Sequence, residues 1–199
     1  MNTWGTKIRL SIFGESHGEA IGMIIDGLEA GIKLILENIN KFIDRRRAGK
    51  SSFTTSRKEK DEFRILSGYK DGHTTGAPLC VIFENTNTQS KDYENLKNLL
   101  RPNHADYPAA IKFKGFNDIR GGGHFSGRIT LALTFAGAVA MDILEEKGIK
   151  IFSHIKKILD IKDKSFLEFK EVDIDKFKNL KESSLAFIED DLETKTKEL

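Results

Sequence analysis

The sequence has few residues that crosslink a chain or anchor it in a membrane. It contains a single cysteine, Cys80, in 199 residues. This excludes an intramolecular disulfide framework and a multi-cysteine zinc site, and it fits a reducing compartment. We predict no secretory signal, because Lys7 and Arg9 interrupt the first apolar residues. The most apolar window, residues 131–144, is shorter than the roughly 20 residues that a transmembrane helix needs. We therefore predict a cytoplasmic protein that does not act at a membrane.

A large charge of one sign is also missing. The chain carries 32 basic and 30 acidic side chains, a net charge of +2, and its 39% of hydrophobic residues is typical of a globular protein. Residues 151–199 contain no arginine, whereas all nine arginines lie in residues 1–150. Because guanidinium groups bind carboxylates and phosphates with a planar fork, the sequence predicts anion recognition before residue 130. Compositional drift in a lysine-rich chain is the alternative. The low net charge argues against a nucleic-acid partner.

Apolar periodicity predicts short strands and a few helices. We predict strands over residues 8–13, 21–25, 63–66, 79–83 and 149–158. The strands 63–66 and 79–83 form a hairpin with a long connection. Helices are predicted from residue 36 to near 45–47, over 93–100, and from residue 129 to the stop at Gly148, with residues 129–144 as its apolar part. The last of these is apolar on nearly every side, which is typical of a buried core helix. Residues 48–60 are predicted to be a mobile loop, and residues 121–123 a flexible one.

Four polar segments carry residues suited to chemistry, and the first is Gly14-Glu15-Ser16-His17-Gly18. The two glycines allow a sharp turn that exposes an imidazole, which can give or take a proton near neutral pH. The glycine and serine spacing also fits a nucleophile elbow, but that motif needs a helix directly after the turn. The strand predicted over 21–25 argues against it. A turn histidine bonded to the backbone is the structural alternative.

The second segment is Arg45-Arg46-Arg47 at a predicted helix end. Three successive guanidinium groups repel one another unless an anion relieves them. The helix dipole offsets this repulsion by roughly 0.3–1 kcal/mol per exposed cation. A solvated basic helix end is therefore a fair alternative to an anion site.

The third segment is residues 101–107, with the sequence RPNHADY. Pro102 fixes the chain where the side chains of Arg101 and His104 can face one space. Asp106 can orient His104 or cap the next segment. A role in capping alone is the alternative.

The fourth segment, residues 120–128 (RGGGHFSGR), precedes the predicted core helix. Glycines at a helix start let backbone N–H groups approach an anion, which the helix dipole also favours. Ser126 is either an N-cap or a phosphate ligand. Arg128 is unfavourable in a first helical turn unless an anion lies beside it. A plain glycine-rich connection with an exposed arginine is the alternative, and the segment matches neither a P-loop nor a dinucleotide motif.

Taken in order, these segments resemble the chorismate synthase family. Residues 14–18 are similar to its Gly-Glu-Ser-His-Gly signature, and residues 45–47 resemble its arginine-rich helix end. Residues 54–76 are similar to its threonine-rich region, residues 101–107 to its Arg-Pro-Gly-His-Ala-Asp-Tyr motif, and residues 120–128 to its Arg-Gly-Gly-Gly block. The resemblance implies an α+β fold, a β-α-β sandwich of the chorismate synthase type. Residues 1–199 would form a single domain, the N-terminal part of the family's chain.

The resemblance also implies an activity. Family members eliminate phosphate from 5-enolpyruvylshikimate 3-phosphate in an anti-1,4-elimination that gives chorismate, the last step of the shikimate pathway. They require reduced FMN although the reaction has no net redox change, and NADPH enters only indirectly, by reducing the flavin. They are usually homotetramers. No metal is implied.

Family roles map onto matching positions of this chain. His17 would act as an acid beside the leaving phosphate, and His104 would lie beside the reduced flavin. The residues implied to bind substrate are Ser16, Arg46, Arg47, Arg101 and Arg128. Those implied to bind the flavin are His124, Phe125 and Ser126.

The chain also departs from the family pattern. Asn103 replaces a glycine, which asparagine tolerates if the backbone is left-handed there. Ala48 and Ser52 stand where proline and arginine are common, and residues 124–129 read HFSGRI rather than RSSARE. Family members are much longer, and their second half carries an aspartate, an arginine and much of the flavin site. We therefore expect a truncated product that binds FMN poorly and turns over little. An anion-binding fragment that pairs with a separate C-terminal half is the alternative.

Overall fold

A computed structural model of the protein describes residues 2–47, 60–86, 99–169, 174–180 and 183–198. Within it the chain forms two compact units, Met1–Lys147 and Gly148–Leu199. The predicted loop over residues 48–60 and the predicted helix over 93–100 lie almost wholly outside the described residues. The expectation of a single domain over residues 1–199 stays a prediction.

The described part of the first unit contains seven strands, and the four longest of them were predicted from the sequence. The seven strands are β1 (Thr3–Trp4), β2 (Arg9–Gly14), β3 (Ala20–Asp26), β4 (Phe63–Ser67), β5 (Tyr69–Lys70), β6 (His73–Thr74) and β7 (Leu79–Glu84), and the predicted ones are β2, β3, β4 and β7. Five of the seven form an antiparallel sheet in the order β1-β2-β3-β7-β4. The predicted hairpin of residues 63–66 and 79–83 is confirmed as the β4–β7 pair, and the small β5–β6 sheet occupies its long connection.

Three α-helices accompany this sheet in the described part of the first unit: α1 (Leu36–Arg46), α2 (Asp106–Lys112) and α3 (Thr130–Glu146). Helices α1 and α3 agree with the prediction. Helix α2 was missed because its seven residues have no amphipathic period. Its apolar side chains Tyr107 and Ile111 are 65% and 66% exposed. Proline is tolerated in the first turn of a helix, where Pro108 stands.

The hydrophobic core lies between one face of the sheet and helices α1 and α3. Alternate residues of β3, among them Ile21 and Met23, are buried on that face. Phe135 of α3 packs edge-on against Phe63 and Phe83, with ring centroids 5.0 and 6.2 Å apart. Burying such side chains contributes about 1.5–3 kcal/mol each. The core thus fixes the C-terminus of α1 beside the N-terminus of α3.

The core helix is less evenly buried than predicted. With its preceding turn it spans Gly127–Glu146, 20 residues, which is long and apolar enough to cross a membrane by length and composition alone. Its face bearing Leu131 and Phe135 packs in the core, whereas Leu133 on the opposite face is 38% exposed. The prediction of burial on every side was therefore wrong, although the core position was right.

The second unit departs most from the sequence prediction. Its elements are β8 (Lys157–Ile158), β9 (Ile161–Lys162), α4 (Ile174–Asn179) and α5 (Asp191–Lys197). The strand predicted over residues 149–158 was wrong in all but its last two residues. A strand is stable only when its backbone groups are paired. Leu159, whose φ is +48°, turns the chain back after two paired residues. A small core of Phe177, Leu180 and Ile188 stabilises the unit.

Candidate active site

The turn between β2 and β3, residues 14–18, is called the His17 loop below. Gly14 has a φ of +93°, and a Cβ there would lie 2.4 Å from the carbonyl oxygen of Ala20, so this position requires glycine. Ser16 is fully buried, and its N–H donates to the carbonyl of Gly123 at 3.1 Å. Strand β3 follows the turn directly, as predicted, so the helix that a nucleophile elbow requires is absent here.

The glycine segment, Arg120–Phe125, lies close to both candidate catalytic histidines. Its three glycines have φ values of +57°, +87° and +54°, which are not helical. Residues 121–123 therefore form an irregular connection, and the flexibility predicted for them stays a prediction. A Cβ on Gly121 would lie 2.2 Å from Cε1 of His17, and a Cβ on Gly122 would lie 3.0 Å from Nε2 of His104. Each imidazole thus lies against a position where a side chain would meet it. His17 and His104 therefore lie against adjacent residues of one short segment, although they are 87 positions apart in the sequence.

A carboxylate fixes the orientation of His104. Nδ1 of His104 lies 2.5 Å from Oδ1 of Asp106, so Nε2 is left to face Gly122. Nε and Nη2 of Arg101 donate to the two oxygens of Asp106 at 2.7 and 2.9 Å. These hydrogen bonds hold the pKa of the Asp106 carboxyl well below its usual range. Asn103 has a φ of +58°, which is the left-handed backbone expected for the substitution of glycine.

Two of the predicted substrate-binding arginines meet at one buried carboxylate. The side chain of Asp61 is 2% exposed and contacts Nη1 of Arg128 and Nη1 of Arg46, the latter at 3.5 Å. Arg46 also donates to Oγ1 of Thr130 at 3.3 Å and to the carbonyl of Gly127 at 2.9 Å. The sequence argument required an anion beside Arg128 at the start of the core helix. In the structure that anion belongs to the protein itself.

Arg47 lies beside this cluster but makes different contacts. Its Nη1 pairs with Asp44 at 2.9 Å, and its Nη2 donates to the carbonyl of Lys60 at 2.5 Å. The side chain is 35% exposed. The described contacts therefore do not join Arg47 to the histidines.

The predicted flavin-binding residues follow the three glycines. Nδ1 of His124 lies 2.8 Å from the carbonyl oxygen of Gly14, to which it donates, so this imidazole holds the His17 loop. Ser126 is an N-cap, as one of its two predicted roles required, and accepts from the N–H two residues later. Phe125 is 42% exposed, with its ring centroid 6.2 Å from that of Phe113. An aromatic surface thus lies beside the glycine segment.

Three polar residues of the site were missed in the sequence. Asp61 follows the predicted loop and joins two arginines. Asn85 follows β7, accepts from Nε of Arg128 at 2.9 Å and donates to the His17 loop. Asp118 binds Arg120 through both of its oxygens, and these bonds lower the pKa of its carboxyl. The sequence signal was weak, because single Asp and Asn residues near strand ends and turns are common.

One connected set of contacts joins most of the predicted residues. The members that contact the His17 loop or the glycine segment, directly or through one residue, are Ser16, His17, Arg101, His104, His124, Phe125, Ser126 and Arg128. Arg46 joins them through Asp61. Among the described residues, no group of three His, Cys, Asp or Glu side chains could hold a metal ion. The arrangement suits recognition of an organic anion and proton transfer by imidazole.

A family model described as chorismate synthase matches residues 8–199 of the chain. The chain belongs to the chorismate synthase family. The match includes both compact units, so residues 148–199 are part of the family sequence as well. A crystal structure titled chorismate synthase superimposes with a TM-score of 0.72 at 28% identity, covering 97% of this chain and 52% of that one. The predicted fold class is confirmed.

Chorismate synthases of several organisms are similar in sequence. That of Thermococcus kodakarensis is 49% identical over 154 residues, which is 77% of this chain and 43% of the relative. That of Chitinophaga pinensis is 48% identical over 163 residues, 82% of this chain and 48% of the relative. The chain therefore spans about half the length of the curated chorismate synthases that it matches.

Proposed function

We propose that the protein is a phosphate lyase that converts 5-enolpyruvylshikimate 3-phosphate into chorismate by anti-1,4-elimination, the last step of the shikimate pathway. The observation that carries this proposal is that His17 and His104 lie against adjacent residues of the glycine segment, Gly121 and Gly122. Two imidazoles so placed can act on one small molecule. Membership of the chorismate synthase family supports the same reaction.

His17 is the proposed acid for the departing phosphate. In the elimination the C–O bond to phosphate breaks, a ring proton is lost and a new ring double bond forms. A proton given to the phosphate oxygen lowers the cost of C–O cleavage. Positioned acids of this kind typically contribute about 10² to 10⁴ in rate. The backbone of Gly121, in contact with the imidazole, keeps His17 in place.

His104 is the proposed partner of the flavin. Asp106 accepts a hydrogen bond from Nδ1–H of His104, and this bond determines that Nε2 faces the glycine segment. Reduced FMN, when bound, supplies electron density that assists loss of phosphate. Nε2, beside Gly122, is then the ring nitrogen of His104 that can exchange a proton with the bound flavin.

The residues after the glycines fit a flavin. The exposed ring of Phe125 offers an apolar surface for a ring system. We propose that Phe125, Ser126 and His124 form this part of the flavin site. Because Nδ1 of His124 is used by the Gly14 carbonyl, its contact to the flavin is through Nε2 or the ring edge.

The substrate carries a phosphate and two carboxylates, which arginine forks bind well. Of the proposed clamps, Arg46, Arg47 and Arg101 keep 25%, 35% and 30% of their side chains exposed. Buried Ser16 is proposed to bind the substrate beside His17. Arg128, at 6% exposure, is the least accessible of the four arginines. We propose for the whole protein a cytoplasmic homotetramer in which NADPH acts only indirectly, by reducing the flavin.

The purified 199-residue chain tests this function. It is titrated anaerobically with 5-enolpyruvylshikimate 3-phosphate and reduced FMN, alone and with the C-terminal half of the Thermococcus kodakarensis enzyme, while chorismate and phosphate are measured. We expect substrate binding by the chain and chorismate formation by at least the mixture. His17→Ala should abolish turnover, and His73→Ala, which alters a β6 histidine bonded to the Asp71 carbonyl, should not. A chain that neither binds substrate nor supports turnover contradicts the proposal.

A further inference from the structure

We propose that Asn85 is a positioning residue that fixes the His17 loop, and that Arg128 in turn fixes Asn85. The inference rests on the proposed function only in assigning His17 a chemical role. The contacts that carry it are present in the chain whatever the reaction.

Asn85 holds the His17 loop from both ends. Its Nδ2 donates to the carbonyl of Glu15 at 3.0 Å and to the carbonyl of Gly18 at 2.9 Å. These two residues bracket Ser16 and His17. Both amide protons are therefore committed to the loop, and the two bonds set the distance between its start and its end.

Arg128 determines which way the amide of Asn85 points. Its Nε donates to Oδ1 of Asn85 at 2.9 Å. Because a guanidinium can only donate hydrogen bonds, the oxygen of the amide must face Arg128 and the nitrogen must face the loop. The reversed amide would place two donors together on one side and three acceptors together on the other.

Arg128 is itself held in place. Its guanidinium contacts Asp61 and donates to the carbonyl of Glu84 at 3.3 Å, and its side chain is 6% exposed. A planar fork with several fixed partners has little freedom to rotate. The order of support therefore runs from buried Asp61 through Arg128 and Asn85 to the carbonyls beside His17.

The side chain of Asn85 is not needed to anchor its own strand end. The backbone N–H of Asn85 donates to the carbonyl of Glu19 at 2.9 Å, and Glu84 pairs with Ala20 in the sheet. The amide bonds to the loop are additional to this ladder. A misplacement of about 1 Å at a reacting group can lower the rate by on the order of 10². Hydrogen bonds that fix the His17 loop to the sheet therefore matter for the proposed reaction.

The test follows the imidazole of His17 by ¹H–¹³C NMR in the ligand-free 199-residue chain, labelled at histidine. His17→Gln assigns the signal. Asn85→Ala and Asn85→Asp are compared with Asn38→Ala, which removes another half-buried amide, bonded to Asp142 between α1 and α3. We expect both Asn85 variants to shift or broaden the His17 signal while those of His73 and His154 stay in place. Asn38→Ala should leave all three unchanged.

Asn85→Asp decides the result if the alanine variant does not fold. It keeps the shape and the acceptor for Arg128 but sets an oxygen against the two loop carbonyls. A His17 signal that coincides with the unmodified one in either folded variant overturns the proposal. Unfolding of Asn85→Asp overturns it too, because that would indicate a general structural role.

The same spectra separate this proposal from the proposed function. Adding 5-enolpyruvylshikimate 3-phosphate with reduced FMN to the unmodified chain should move the His17 signal if the function is right. A His17 signal that does not change when substrate and reduced FMN are added contradicts the proposed function. It leaves the positioning role of Asn85 supported, provided that the ligand-free variants show the expected shift.

Discussion

Asp106 and His104 form a directed pair, with 2.5 Å between Oδ1 and Nδ1. The carboxylate also receives Nε and Nη2 of Arg101 and the Arg101 backbone N–H. Its side chain is 8% exposed, so these bonds form with little competition from water. One carboxylate thus orients both an imidazole and a guanidinium at the site.

Asp106→Asn should destabilise the first unit and release His104. The amide cannot accept from both groups through two oxygens, and it loses the charge that strengthens each bond. We expect a loss of about 1.5–3 kcal/mol in the free energy of unfolding, measured by urea denaturation near neutral pH. Asp26→Asn, at the exposed end of β3, is the matched control and should change little. Equal effects of the two substitutions would contradict the assigned role.

The stabilisation by Asp106 should depend on pH in a defined direction. The hydrogen bonds from Arg101 lower the pKa of its carboxyl in the folded state. A lowered pKa stabilises the fold fully above the unfolded value, about 3.9, and this contribution is lost as the pH falls below it. We therefore expect the difference in free energy of unfolding between the unmodified chain and Asp106→Asn to decrease as the pH is lowered from about 7 to about 3, measured by urea denaturation. A difference independent of pH would argue against this account.

Gly121→Ala should displace His17. The added Cβ would lie 2.2 Å from the imidazole, on a backbone whose φ is +57°. We expect a loss of about 1–3 kcal/mol in unfolding free energy from overpacking, together with a shifted His17 signal by NMR. Gly127→Ala is the control in the same region, because a Cβ there meets nothing within 4 Å. If Gly121→Ala matched this control in stability and spectrum, the close contact would be wrong.

Asp61→Asn should be among the most destabilising single substitutions. Asp61 neutralises two guanidinium groups in a buried position, and removing one charge from a buried pair typically costs about 3–5 kcal/mol. Asparagine suits the φ of +52° at this position. Asp71→Asn is a matched control because Asp71 is exposed and has a φ of +49°. Guanidinium denaturation measures both. If Asp61→Asn lowered the free energy of unfolding only slightly, Asp61 would not be needed to neutralise Arg46 and Arg128.

The match between sequence and structure is best where the signal is local. The short apolar run of residues 21–25, interrupted only by Gly22, predicted β3, because the length of such a run is typical of a buried strand. The run 149–158 is a counterexample, since a β-compatible pattern without a partner strand pairs over only two residues. Helix α2 was missed because seven residues without an amphipathic face give no period to detect.

By itself, the sequence determined four of the five sheet strands, the core helix and the turns that carry His17 and His104, because periodicity and backbone preference act over a few residues. Only the tertiary structure decided what those groups face. Arg128 reaches Asn85 over 43 positions and Asp61 over 67, and His124 reaches the Gly14 carbonyl over 110. Contacts between residues so distant in the sequence depend on how α1 and α3 pack on the sheet, and local sequence patterns do not predict that packing.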